Sequence, residues 1–166
     1  MGESNTYQEL IDFGNKLLIT SNLEEGLPLI SDYLRNITGA MRCSIFIHNK
    51  DNDTLWTVLA TGIERIEIST DQGIVGHVFH TEEAVIENNV ENNPYFLRDV
   101  DKESGYKTIN MITCPIYNSR KELIGVLQLI NKPDGFRESD LQFLTLFTNF
   151  ISSFIELEPY YPRVNT

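Results

Sequence analysis

The chain has 166 residues, 41% hydrophobic and 22% charged, the balance of one ordinary globular domain that buries about two-thirds of its unfolded surface. A net charge of −11 and a pI near 4.6 set it against phosphate backbones and anionic lipids, which excludes nucleic acid and membrane surfaces as partners. No apolar run approaches the about eighteen residues a membrane span needs, and the first residues form no signal peptide, so a cytoplasmic location is expected.

In chain order, residues 5–19 carry Leu10, Ile11, Gly14, Leu17 and Leu18 at three- and four-residue spacing, the pattern of an amphipathic helix that packs on the domain or on a second copy. This helix, residues 1–21, precedes a domain over 22–157, and 158–166 reads as a linker. Ser21 to Glu24 is a capping box, and Leu23, Leu27, Ile30, Leu34 and Ile37 continue one apolar face until Gly39 stops the helix. Arg42–His48 and Thr54–Ala60 alternate as a hairpin around a polar turn, and Ile63–Ser69 reads as a third strand. Asp71-Gln-Gly-Ile-Val-Gly-His opens a short helix, Ala84–Glu87 is a brief strand, and residues 88–108 read as an irregular connection outside the core. The last helix is expected to start at Ser139, with Ser139 and Gln142 as a capping box, and carries Leu141, Leu144, Phe147, Ile151, Phe154 and Ile155.

Between these lies a second hairpin, residues 110–131, with Asn118-Ser-Arg-Lys121 in its turn. Its second strand is apolar on both faces and therefore belongs mid-sheet. Gln128 is the exception, an amide that must find a hydrogen-bond partner in backbone, water or ligand. This order of elements is not the strict alternation of a parallel fold. It predicts an α+β domain with a six-stranded, mainly antiparallel sheet and helices on both faces.

Cys43 and Cys114 sit in strand-like runs without a Cys-x-x-Cys companion and read as reduced core thiols. His77 is read as a helix residue packed under the connection, and His48 and His80 as surface groups. No group of His, Cys and Asp has metal-ligand spacing, so neither metal nor cofactor is expected. Gly73-Ile-Val-Gly76 is either a tight strand-to-helix turn or a helix N-terminus open to an anion.

Several blocks in one order are more specific than any of them alone: Asp71-Gln-Gly-Ile-Val-Gly-His, Asn-Asn-Pro94-Tyr-Phe, Val100-Asp101, Gly105-Tyr-Lys-Thr108, Cys114-Pro-Ile, Leu-Ile-Gly-Val-Leu-Gln-Leu-Ile-Asn131-Lys132, Phe136 and Asp140. Together, over about residues 22–157, they resemble a GAF domain of the subclass found in cyclic-nucleotide phosphodiesterases and cyanobacterial adenylyl cyclases. The motif residues Asn131, Lys132, Phe136 and Asp140 match that subclass, whereas Leu141 stands where it has Glu. Lys132 and Asp140 read as a structural ion pair that closes the last strand onto the final helix.

The resemblance implies a non-catalytic regulatory module that binds cyclic AMP or cyclic GMP, with the phosphate on Ile74 and Val75 and with Arg98 adding charge. Leu97 stands where some members place a tyrosine. Ser44 and Gln128 would face the base edge, Ala60 and Thr61 would line the base, and Asp101, Ser104 and Thr108 would close over base and ribose. Phe143, Leu146, Phe150 and Phe154 make the last helix's apolar stripe broader than one sheet face needs, which with the first helix's stripe predicts a homodimer through the terminal helices and relay to an output domain. The alternatives are a dimerisation element without a small ligand and, through a relative that reduces methionine sulfoxide with cysteines, an enzyme.

Overall fold

In the computed structural model the described residues are 2–20, 23–60, 66–98 and 105–156; the side chains of 2–6, 18, 23, 24, 58–60 and 154 are not among them. Helices α1 (Gly2–Leu18) and α2 (Leu23–Thr38) precede strands β1 (Arg42–Asn49), β2 (Thr54–Ala60) and β3 (Glu67–Ser69). Helix α3 (Gly73–Thr81), strand β4 (Val85–Glu87) and a single 3-10 turn (Val90–Asn92) lead into the connection to β5 (Met111–Tyr117), β6 (Leu123–Ile130) and the last helix, α4 (Glu138–Glu156). The strands form one six-stranded sheet in the order β3-β2-β1-β6-β5-β4, every neighbouring pair antiparallel, as the sequence predicts.

Period-2 alternation along β1, β5 and β6 divides the apolar residues between two cores. Cys43, Ile45, Ile112, Cys114, Ile116, Leu127 and Leu129 face α2 and α4, meeting Leu27, Ile30, Leu34, Leu144, Phe147 and Ile151. On the opposite face Phe46, Leu55, Met111 and Val126 pack against Ile74, Val75 and Val78 of α3 and against Val90. Gly125 marks the closest approach within the sheet: a Cβ there would lie 2.1 Å from the Phe46 carbonyl oxygen of the neighbouring strand.

Helix α1 keeps Leu17 of the expected stripe against the core but is rotated toward Phe13, which is not in that stripe. Among its described side chains Phe13 is the buried one, stacked on Tyr33 at 4.4 Å between ring centroids and tilted toward Phe147 at 5.7 Å, while Leu10 and Ile11 are exposed. An aromatic ring removes more apolar surface from water than a leucine, and three rings in contact fix the helix's rotation. Helix α1 starts at Gly2, three residues before the expected position, and the capping side chains of Ser21 and Glu24 lie outside the described ones. Of the expected third strand, residues 63–65 lie outside the described residues and Glu67–Ser69 is strand; Thr57 extends its pairing to Ile66, whose backbone N–H donates to the Thr57 hydroxyl at 3.0 Å.

The start of α4 also differs. Asp140, not Gln142, reaches back: its Oδ2 accepts the Arg137 backbone N–H at 2.8 Å, which puts Arg137 at the cap and Asp140 at the third helical position.

Candidate functional site

The sheet face beneath α3 carries a transverse polar row. Ser44 pairs with Ala60 on one side and with Gln128 on the other, Gln128 pairs with Thr113, and Thr113 pairs with Val85, so one row of the sheet runs from β2 to β4. Ser44, Gln128 and Thr113 are all buried. Gln128 Nε2 donates to the Thr113 hydroxyl at 3.2 Å and to the Met111 sulfur at 3.2 Å. Side chains of the paired strand therefore satisfy the amide's donors; both described bonds use Nε2, leaving the carbonyl Oε1 to accept. Met111, Phe46 and Val126 surround the row with hydrocarbon shared with Ile74 and Val75.

Above this face stands the N-terminus of α3. Gln72 occupies its cap position but makes no side-chain capping bond, because its Oε1 accepts the Ser69 backbone N–H at 3.0 Å instead. The first turn holds no acidic residue, so the positive end of the helix is not neutralised within it. Gly76 is a glycine for packing reasons: a Cβ would come within 2.5 Å of the Thr70 carbonyl oxygen. Gly73 has a left-handed φ of +73° and sits under the Leu97 side chain. His77 stacks on Tyr95 at 4.0 Å, which lays residues 93–97 over the helix start.

The motif residues after β6 form a hydrogen-bonded junction. Asn131, at a left-handed φ of 60°, accepts the Ile109 and Asn110 N–H groups at 2.7 and 3.2 Å and donates to the Lys107 carbonyl at 2.8 Å and the Tyr106 hydroxyl at 3.0 Å. Tyr106 in turn lies under the Arg42 guanidinium, 3.3 Å from the ring centroid. Lys132 Nζ lies 2.7 Å from Asp140 Oδ2, with side-chain exposures of 21% and 11%. Phe136 is buried among the α2–α4 core.

The structure thus brings Ser44, Gln128, Ile74 and Val75 to one side of the sheet. Arg98 is exposed and paired with Glu91, its Nε 3.4 Å from the carboxylate and its NH2 group donating to the Glu91 carbonyl at 2.9 Å. Ala60 is placed by its pairing with Ser44, its side chain outside the described ones; Thr61, Asp101 and Ser104 lie outside the described residues. Thr108 corrects the view of this connection as lying wholly outside the core, since it is buried. His48 is a second correction: its side chain is only 15% exposed, its ring tilts on Phe79 at 4.7 Å, and its Nε2 lies 2.7 Å from Asp53 Oδ1. That hydrogen bond holds the Asp53 carboxyl below its usual range. Burial pushes the Cys43 and Cys114 thiols up to about 12, which keeps both protonated and unreactive at neutral pH.

Sequence reasoning missed Thr113, Met111, Asn88 and Asn110. Strand alternation alone would have put Thr113 and Met111 on the face of Gln128. No local signal marks the two asparagines, whose partners lie 22 to 48 residues away in the chain.

Comparison with known proteins agrees with this architecture. The GAF domain family model matches residues 22–155. The cone cGMP-specific 3',5'-cyclic phosphodiesterase subunit alpha' of Gallus gallus is 30% identical over 76% of the chain, and the rod cGMP-specific phosphodiesterase subunit alpha of Homo sapiens is 32% identical over 70%. The chain spans only 14% of the length of each of these relatives. A solved GAF domain, from a phosphoenolpyruvate-protein phosphotransferase of Coxiella burnetii, superposes with a TM-score of 0.81 at 19% identity, covering 94% of this chain and 95% of that one. The six-stranded sheet order and a family match over most of the chain make it a member of the GAF domain family.

Proposed function

We propose that this chain is the regulatory module of a signalling protein, that it binds cyclic AMP or cyclic GMP between the polar row of the sheet and the start of α3, and that it relays occupancy through α4 to an output domain. The observation that carries this reading is the pairing of two features on one face. The buried row of Ser44, Gln128 and Thr113 offers hydrogen bonds to a planar base, and the uncapped, acid-free first turn of α3 offers amide groups to a singly charged phosphodiester. In a chain of net charge −11, that helix end is where an anion finds local donors. Gln128 can donate and accept, so it forces neither adenine nor guanine. Thr61, Asp101, Ser104 and Thr108 complete the proposed set from the adjoining chain. The similarity to two cGMP-specific phosphodiesterase subunits supports the ligand class.

The same reading includes a homodimer. Leu146 and Phe150 of α4 are 65% and 60% exposed, and Tyr7, Leu10 and Ile11 of α1 are exposed as well, apolar surface that a second copy would cover. A second reading, a dimerising domain with no small ligand, is favoured by one observation: Gln128 Nε2 is satisfied by Thr113 and Met111 without any ligand. Titration calorimetry of the chain with cyclic AMP and with cyclic GMP separates the two. Saturable heat with either supports the nucleotide module, and no heat and no thermal shift with both supports the second reading.

A further inference from the structure

The connection between β4 and β5 begins at Asn88 and ends at Asn110, and both asparagines clamp backbone in the short stretch 131–137 that leads from β6 into α4. Asn88 donates Nδ2 to the Phe136 carbonyl at 3.0 Å and accepts the Phe136 N–H on Oδ1 at 2.8 Å. Asn110 does the same with Lys132, at 3.0 and 2.9 Å. Asn131 adds the N–H groups of Ile109 and Asn110, and the Val90 N–H joins the two ends of the connection by donating to the Ile109 carbonyl at 3.1 Å. The fit at Asn88 is tight: a Cβ on Gly135, itself at φ +85°, would lie 2.8 Å from Asn88 Oδ1. One carboxylate then ties this stretch to the helix, Asp140 Oδ2 taking both Lys132 Nζ and the Arg137 N–H.

From this we infer that residues 131–137 form a shared anchor for both ends of the β4–β5 connection, with Asn88 and Asn110 as positioning residues whose clamps couple that connection to the first turn of α4. The inference deepens the proposed regulatory reading by naming the route from the site to α4, and it rests on that reading only for what drives the route. A side chain that bonds both the donor and the acceptor of one peptide cannot follow a displacement of that peptide without losing both bonds. The connection and the anchor therefore move together or separate at a cost. Contiguity of this kind gives a route; energetic coupling along it has to be measured.

Amide hydrogen exchange resolved by NMR on the whole chain, without ligand, tests it. Asn88→Ala should speed exchange at Phe136 and also at Ile109, Asn110 and Arg137 by about fivefold or more, the effect of losing one net hydrogen bond. The amides of Ile45 and Leu127 should stay protected. Acceleration confined to Phe136 would overturn the inference, because it would make Asn88 a local tether. Asn88→Asp keeps an acceptor for the Phe136 N–H but turns a carboxylate oxygen toward the Phe136 carbonyl in place of the donated bond; it should accelerate the same set at least as much and serves if the alanine variant does not fold. In a second arm, saturating cyclic GMP or cyclic AMP should alter exchange at Arg137 and Leu141 in the parent and not in Asn88→Ala. A parent that binds neither nucleotide counts against the proposed ligand, while the first arm still decides the coupling.

Discussion

Replacing Lys132 by methionine tests the junction at its most consequential contact. The ammonium lies 2.7 Å from Asp140 Oδ2 in a pair that is largely, but not wholly, withdrawn from water. Exposed pairs are worth about 0.2–1 kcal/mol, and removing one partner of a fully buried pair costs about 3–5 kcal/mol. Asp140 keeps the Arg137 N–H after the substitution, and methionine keeps most of the packing of the lysine stem, so the loss should fall between these limits at about 2 kcal/mol. For a domain of this size that is a fall in Tm of roughly 4–8 °C. The partner substitution Asp140→Asn keeps an acceptor for Arg137 and removes the charge. Combined with Lys132→Met, it should recover part of the loss, since no buried charge is then left alone. Urea and thermal unfolding of the four proteins give the cycle. A Lys132→Met variant as stable as the parent, or a double variant whose loss is the sum of the singles, would refute the reasoning. One that keeps its Tm but loses nucleotide binding would instead make Lys132 a ligand contact.

Thr108→Ala should lower stability by about 1–2 kcal/mol in urea unfolding as well as weaken nucleotide binding, because the residue is buried; a change in affinity alone would place it purely in the site. Gly76→Ala should cost more than about 1 kcal/mol, since the added methyl meets the rigid Thr70 carbonyl at 2.5 Å; an unchanged Tm would show that the turn yields. Cys43 and Cys114 should resist a thiol reagent at pH 8 until the chain unfolds, and prompt labelling would contradict their burial. Their thiol pKa values are raised on folding, so their contribution to stability is complete below about pH 9 and is lost as pH climbs toward about 12; alkaline unfolding curves for Cys43→Ala should be flatter over that range. Phe150→Glu with Leu146→Glu should turn a light-scattering dimer into a monomer near 19 kDa and leave calorimetric nucleotide binding intact; loss of both together would put these residues in the domain's own fold.

The elements most legible in the sequence were those with clean periodicity. β6, apolar on both faces, lies mid-sheet next to β1 and β5, and Gln128 is the polar interruption of its row. Its partner was harder to read. A four-residue turn closed without irregularity would set Gln128 opposite Met111, but Tyr117 pairs with Leu123 across five residues and the register shifts once more between Ile116 and Tyr117, so the residue opposite is Thr113. Helix α1 was legible as amphipathic but not in its rotation, because Leu17 can share a buried face with Leu10 or with Phe13, and the contact of Phe13 with Tyr33 and Phe147 chooses the latter. The burial of His48 and Thr108 was illegible for a related reason: each depends on what a distant element lays beside it, Phe79 of α3 in the first case. Long-range clamps such as that of Asn88 on Phe136 leave no local pattern at all.

The two outer strands of the sheet, β3 and β4, are three residues each. Every long strand is therefore interior in the sheet order, and the outer strands cover part of their neighbours: β3 pairs with Thr54–Trp56 of β2 and β4 with Met111–Thr113 of β5. β3 is guarded further by Glu67, which accepts from Asn52 at 2.9 Å and from Thr54, and β4 ends in Glu87, which accepts from Asn93 at 3.2 Å. A three-residue strand that carries a carboxylate is a poor template for edge-to-edge growth. Shortness and charge at the outer strands thus act as a brake on sheet-to-sheet association that is separate from anything the helices do.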